Sequence, residues 1–258
     1  MWKHAHQKGS EKGMTTQYMI RTELEYKKCF TTYINRPGAA DLLQWMCGQG
    51  FFEAPASVKH HGAEPGGLAQ HSINVFKRLA FIAAEAIKPP QIFNVETLAV
   101  CGLLHDLCKI DAYKEAPEGS SRRYDITRNF PAGHGEKSVI LIMRFMQLTD
   151  EEVLAIRWHM GQYDFYAKGG GYDLDNAFHQ CKLAVMLHLA DMMATHFDET
   201  EDQKETKEKD YEAEWKVEPG PGGWATGWFI CGKCGKKSAE DKEICPNCKA
   251  KMKKIKWG

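Results

Sequence analysis

The chain has 258 residues, 43% of them hydrophobic, and its 34 basic and 34 acidic side chains leave no net charge at neutral pH. That length allows one ordinary domain with a real core plus a small appendage. No stretch approaches the roughly 20 uninterrupted apolar residues that a membrane-spanning helix needs. Four of the nine cysteines form two CxxC pairs, while Cys29, Cys47, Cys101, Cys108 and Cys181 are scattered through apolar or helical sequence. An odd, scattered set argues for a reducing compartment and against a disulfide framework.

The opening MWKHAHQKGSEKGM lacks the apolar segment of a secretory signal, so residues 1–21 read as a disordered lead-in and the location as cytoplasmic. Beyond it, apolar residues recur at three- and four-residue steps over 22–34, 38–48, 66–87, 94–109, 135–147, 150–160 and 177–197, which predicts an all-α bundle. Pro37, Pro89-Pro90, Pro131 and Gly169-Gly170-Gly171 punctuate it. One long connection, Asp111 to Gly133, carries Tyr113, Lys114, Arg122, Arg123, Tyr124 and Arg128; loops of that length are often functional. From Asp198 to Glu218 the sequence is almost wholly charged and ends in PGPGG, which predicts a solvated helix extension and a hinge over 201–223.

Within the bundle, the telling feature is where the polar residues fall. Leu68, His71, Val75, Leu79 and Ile82 share one helical stripe, so His71 belongs to a core-facing surface. The stripe Cys181, Ala184 or Val185, His188, Asp191 and Met192 draws Asp191 inward in the same way, and a buried carboxylate is costly without a partner. His105-Asp106 follow the apolar run AVCGLL, and His134 and His159 sit near the ends of two further helical segments. Six N and O donors spread over five helices suit one or two metal ions inside a bundle. Six separately satisfied polar groups would account for the same pattern.

The order His71, His105-Asp106 with Lys109, then Asp191 in LHLADMM, resembles the H…HD…D signature of the HD phosphohydrolase superfamily. His134 in GHGEKS and His159 in RWHMG look like the two additional histidines of its binuclear members. The segments FFEAPAS and HHGAEPGGLAQHS are similar to the HD portion of YhaM-type exoribonucleases, and residues 35–197 look like HD hydrolases of Firmicute phages and prophages. The resemblance implies an HD domain over 22–200. His71, His105, Asp106 and Asp191 would hold one metal, and Asp106 would bridge to a second held by His134 and His159. Mixed His and carboxylate ligands suit Mn, Fe, Co or Zn. Asp106 and Lys109 are the implied catalytic pair, with Lys109 one turn after His105 and placed to neutralise a substrate phosphate. Arg122, Arg123 and Lys137 are further candidate phosphate contacts. His60 and His61 could reach the mouth of the site, and His188 could support Asp191 from one turn away. Cys108 stands where the usual HDxGK has Gly, which is tolerable if it lies behind the ligands. The nucleic-acid-binding domain of the exoribonucleases has no counterpart here.

At the C-terminal end, Cys231, Cys234, Cys245 and Cys248 have the type and spacing of a tetrahedral structural zinc site, a zinc ribbon over 224–258. So small a unit needs its metal to fold. Residues 224–258 hold nine Lys and three acidic residues, a balance of +6 that leaves −6 for residues 1–223. A zinc-bound set of four thiolates lowers this to about +4. With Trp224, Trp228, Phe229 and Trp257 it would suit nucleic acid or an acidic protein surface; a solubilising tail is the alternative. The predicted function is hydrolysis of a phosphate ester or anhydride in a nucleotide, cyclic nucleotide or nucleic acid. An HD-type di-iron oxygenase and a non-catalytic nucleic-acid or protein binding module are the competing readings.

Overall fold

In the computed structural model the described residues are 3–58, 62–90, 93–121, 123–127, 129–199, 212–218, 228–232, 235–238, 242, 245–247 and 251–253. The chain divides into two compact units, Met1–Thr200 and Glu201–Gly258. Among the described residues, no helix is long and apolar enough to cross a membrane.

The first unit is built from helices α1 (Lys3–Tyr33), α2 (Ala39–Gly48), α3 (Gly67–Phe81), α4 (Val95–Leu104), α5 (His134–Met143), α6 (Asp150–Trp158), α7 (Asp173–Gln180) and α8 (Lys182–Met193). The first helix begins at Lys3, well ahead of residue 22, where regular apolar spacing starts. The segment expected to be one helix over 177–197 is two, because Cys181 takes an extended conformation between α7 and α8. Short π-helical turns, Ile82–Ala86 and Ala194–Asp198, continue α3 and α8.

The central helix α3 packs on α4 and α8, and α6 packs on α5 and α8. Leu68, Ile73, Leu79, Leu103, Leu104, Ile142 and Leu187 form the dry centre between them, each contributing roughly 2 kcal/mol by burial. The approach of α4 to α3 depends on Gly102, where a Cβ would fall 2.5 Å from the Phe76 Cα. Tyr26 ties α1 to the end of α4 by donating to the Leu103 carbonyl at 2.8 Å. Arg36 clamps the fully buried Glu152 through two hydrogen bonds of 2.7 and 2.9 Å. Glu152 also closes a capping box with Thr149 at the start of α6.

The unit is not purely helical. The connection 111–133 folds a two-stranded antiparallel hairpin, β1 (Tyr113–Glu115) with β2 (Tyr124–Ile126), with Tyr113 opposite Ile126. The second unit is a four-stranded sheet in the order β5-β4-β3-β6, from β3 (Glu212–Glu218), β4 (Trp228–Cys231), β5 (Lys237–Ser238) and β6 (Lys251–Lys253). Its core is Trp215, Cys231, Cys245 and Met252. Strand β3 lies inside the charged stretch expected to be a linker. Alternating Ala213, Trp215 and Val217 supply the period-two signal that the charges between them obscure. Cys234, Cys248 and the PGPGG segment lie outside the described residues.

Candidate metal centre

Five elements bring the six candidate ligands together. His71 projects from α3 and Asp191 from α8, His105 caps the end of α4, His134 opens α5, and His159 caps the end of α6. Asp106 sits where α4 gives way to a 3-10 turn, Leu107–Asp111, with φ −103° and ψ 19°, a sparsely populated backbone region often occupied by active-site residues. The Asp106 carboxylate divides its two oxygens. Oδ1 lies 2.7 Å from His134 Nε2 and 3.4 Å from His159 Nε2. Oδ2 lies 3.5 Å from the Nε2 atoms of both His71 and His105. Asp191 Oδ1 is 3.2 Å from His71 Nε2.

The histidines are held by their other nitrogens. His105 Nδ1 donates to the Gly102 carbonyl at 3.0 Å and His159 Nδ1 to the Ile156 carbonyl at 2.7 Å. His71 Nδ1 donates to Glu199 Oε1 at 3.0 Å. A carbonyl or carboxylate oxygen only accepts, so each Nδ1 carries hydrogen, and in the neutral form that coordination needs each ring turns its Nε2 lone pair inward.

That arrangement fits a divalent cation. His71 Nε2 and His105 Nε2 face each other at 3.3 Å, where two lone pairs repel unless a proton or a metal lies between them. The buried His159 Nε2 has no hydrogen-bond partner. His71, His105 and Asp191 form one group of donor atoms mutually within 4.8 Å, and His105, Asp106 and His159 form another. Solvent reaches the cluster on the His134 side, where the ring is 30% exposed while those of His71, His105 and His159 are fully buried.

Metal-free, the cluster stores charge. Burial alone would lower His71, but Glu199 and Asp191 outweigh it and raise its pKa to about 10. His134 also reaches about 10, with burial opposed by Cys108 and Asp106. His105, with burial dominant, is lowered. Burial pushes Asp106 up, yet Lys109, His105 and His134 hold it well below the ordinary carboxylate range. Asp191 is likewise depressed, chiefly by His71 against its burial. Burial pulls Lys109 down and Asp106 more than restores it.

Lys109 Nζ approaches Asp106 Oδ2 at 2.6 Å inside the cluster. Cys108 is not behind the ligands, for its sulfur falls within 4.8 Å of donor atoms of Asp106 and His134. Lys137 is buried against Asp111 and the Asn129 carbonyl instead of reaching for the centre. Arg123 is exposed, 5.5 Å over the Tyr124 ring. Arg122, His60 and His61 lie outside the described residues. His188 supports the site through its Nδ1, 2.7 Å from the His159 carbonyl. Glu199 is the contact that sequence reasoning missed. It follows the last helix within a charged run, and only its spacing beyond Asp191 could have flagged it.

Comparison with curated proteins and with solved structures gives no match. Residues 68–195 match the family model of the HD domain. The match supports the HD superfamily and, with the clustered His and Asp side chains, points to divalent-metal binding and a metal-dependent phosphohydrolase in general.

Proposed function

We propose that the chain hydrolyses a phosphate ester or anhydride in a nucleotide, cyclic nucleotide or nucleic acid at a binuclear centre. His71, His105, Asp106 and Asp191 would hold one ion, and Asp106 would bridge to a second held by His134 and His159. The observation that carries this reading is the divided Asp106 carboxylate, with Oδ1 turned to His134 and His159 and Oδ2 to His71 and His105.

Divalent ions of the Mn, Fe, Co or Zn kind, when bound, supply a water of lowered pKa and polarise a phosphoryl oxygen. The remaining work belongs to the protein's own side chains. Asp106 orients both halves of the ligand set. Lys109, whose Nζ lies 2.6 Å from Asp106 Oδ2, would offer its ammonium to the substrate phosphate. The buried rings of His71, His105 and His159 keep bulk water from the rear of the site, leaving the His134 side as the entrance. Tyr163, Phe165, Tyr166 and Tyr172, all exposed in the segment that follows His159, provide ring faces on which a base could stack.

In the C-terminal unit, Cys231, Cys234, Cys245 and Cys248 would hold a structural zinc. The burial of Cys231 and Cys245 in one small core supports this. The lysine excess and the aromatic residues of its sequence would suit nucleic acid or an acidic protein.

The test is a panel of nucleoside mono-, di- and triphosphates, cyclic dinucleotides and short RNA and DNA, incubated with Mn(II) and assayed for released products. Turnover of at least one nucleotide class is expected. Oxygen consumption by an iron-loaded sample with no phosphoester cleavage would overturn the hydrolase reading.

A further inference from the structure

We infer that Glu199 is a positioning residue for the metal centre, holding His71 in the tautomer and orientation that coordination needs. The inference rests on the metal-centre reading above and concerns a residue outside the proposed ligand set.

Glu199 is buried, and its Oε1 lies 3.0 Å from both His71 Nδ1 and Asn74 Nδ2. A carboxylate accepts and does not donate, so both partners must turn hydrogen toward it. Asn74 therefore presents its amide NH2 to Glu199 and its Oδ1 to Gln70, whose Nε2 donates at 3.0 Å. Gln70 Oε1 is left to accept from the Thr22 hydroxyl at 3.3 Å. Every donor and acceptor from Thr22 to His71 is fixed by the one charged end. The hydrogen of His71 is thereby held on Nδ1, and Nε2 points at His105 and Asp191.

The backbone is shaped for this contact. The turn Ala194–Asp198 is π-helical, and such turns, with one extra residue per hydrogen-bonded loop, recur at functional sites. Asp198 then meets Arg78 through two hydrogen bonds of 2.8 and 2.5 Å. Glu199 lands one helical turn closer to the site, beside His71 and Asn74 on the same helix. A solvated acidic tail needs neither the turn nor the burial. Carboxylates placed behind a metal-bound imidazole raise its basicity and fix its rotation, and their loss costs roughly 10–100-fold in metal affinity.

The experiment compares Co(II) affinity of the full-length wild type, Glu199→Gln and Glu199→Ala by competition with a chelator. Thermal unfolding of each metal-free protein serves as the fold control. Side-chain 15N spectra of the Zn(II)-loaded proteins report whether His71 carries its hydrogen on Nδ1 and offers Nε2 to the metal. Glu199→Ala should lose about 10–100-fold in affinity and, in the loaded protein, leave the His71 Nδ1 hydrogen without its acceptor, so that its 15N signal shifts and broadens. Glu199→Gln, which keeps an acceptor, should recover part of both effects. Should Ala unfold, the Gln variant carries the test alone, since it preserves shape and removes only charge. Wild-type affinity in both variants, with an unchanged His71 signal, would overturn the positioning role and leave the metal centre intact. A wild type that takes up no Co(II) would overturn the metal centre and this inference together.

Discussion

Lys109 Nζ lies 2.6 Å from Asp106 Oδ2, while His134 Nε2 lies 2.7 Å from Oδ1 of the same buried carboxylate. The lysine thus balances, in the metal-free protein, a charge that bound ions would otherwise balance. Lys109→Met keeps an unbranched side chain only one atom shorter and removes its charge. Breaking a buried pair from one side leaves the other charge unpaired, at a cost of about 3–5 kcal/mol. Urea unfolding of the metal-free variant should show that loss, and added Mn(II) should restore more stability to the variant than to the wild type. An unchanged urea midpoint would mean that the pair contributes nothing.

Metal uptake should be tied to pH through His71. Its folded pKa of about 10 stands above the ordinary 6.5, so the stability it lends the metal-free protein is full below about 6.5 and is lost as pH rises toward 10. Coordination runs the other way, because Nε2 must give up a proton before it can bind. Between pH 6 and 9 metal affinity should therefore climb, about tenfold per pH unit for each proton displaced. Calorimetric titration in two buffers of different ionisation enthalpy would count those protons; a pH-independent affinity would contradict the charged resting state.

If Asp106 bridges two ions, its removal and that of His134 should differ in kind. Asp106→Ala is expected to abolish Mn(II)-dependent turnover with the helical spectrum retained. His134→Ala should keep one ion and lose the other. Elemental analysis decides, and equal metal content in wild type and His134→Ala would refute the binuclear arrangement.

The sequence exposes this site unevenly, for physical reasons. His71 and Asp191 interrupt apolar helical stripes, and His105-Asp106 follow an unbroken apolar run, so each announces a polar group forced inward. Glu199 sits beyond the last periodic residue, in a run where every neighbour is polar, and its burial comes from a π-helical turn that spacing at 3.6 residues does not anticipate. Lys137 looks free on a helix start, yet Asp111, 26 residues away, meets it through a fold of the connection. The hairpin β1–β2 and strand β3 escape notice because each is short or has its alternation masked by charge.

Helix spacing around the site hinges on Gly102. A Cβ there would lie 2.5 Å from the Phe76 Cα, a backbone atom that cannot swing aside. Gly102→Ala should cost about 1–3 kcal/mol by overpacking and move His105 away from His71, lowering metal content as well. Gly48, at the end of α2 with nothing within 4 Å of its Cβ position, is the control. Gly48→Ala should be neutral or stabilising by up to about 1 kcal/mol. Comparable losses in both variants would mean that the contact does not govern the spacing.

The C-terminal unit should serve binding and not chemistry. Four Cys ligands close a zinc coordination sphere and leave no open position for an activated water. All the donors of the metal centre, with Glu199 behind His71, belong to the unit that ends at Thr200. A cut near Gly222, at the expected hinge, would separate β3 from both β4 and β6, which pair with it. The informative truncation therefore removes residues 201–258 as a whole. Turnover of a small nucleotide should stay within a few-fold of the full chain. Binding of a single-stranded polymer at low salt should weaken, because the lost lysines no longer displace counterions from its phosphates. A truncated protein that keeps its metals and helicity but loses all small-substrate turnover would show that the C-terminal unit completes the catalytic site.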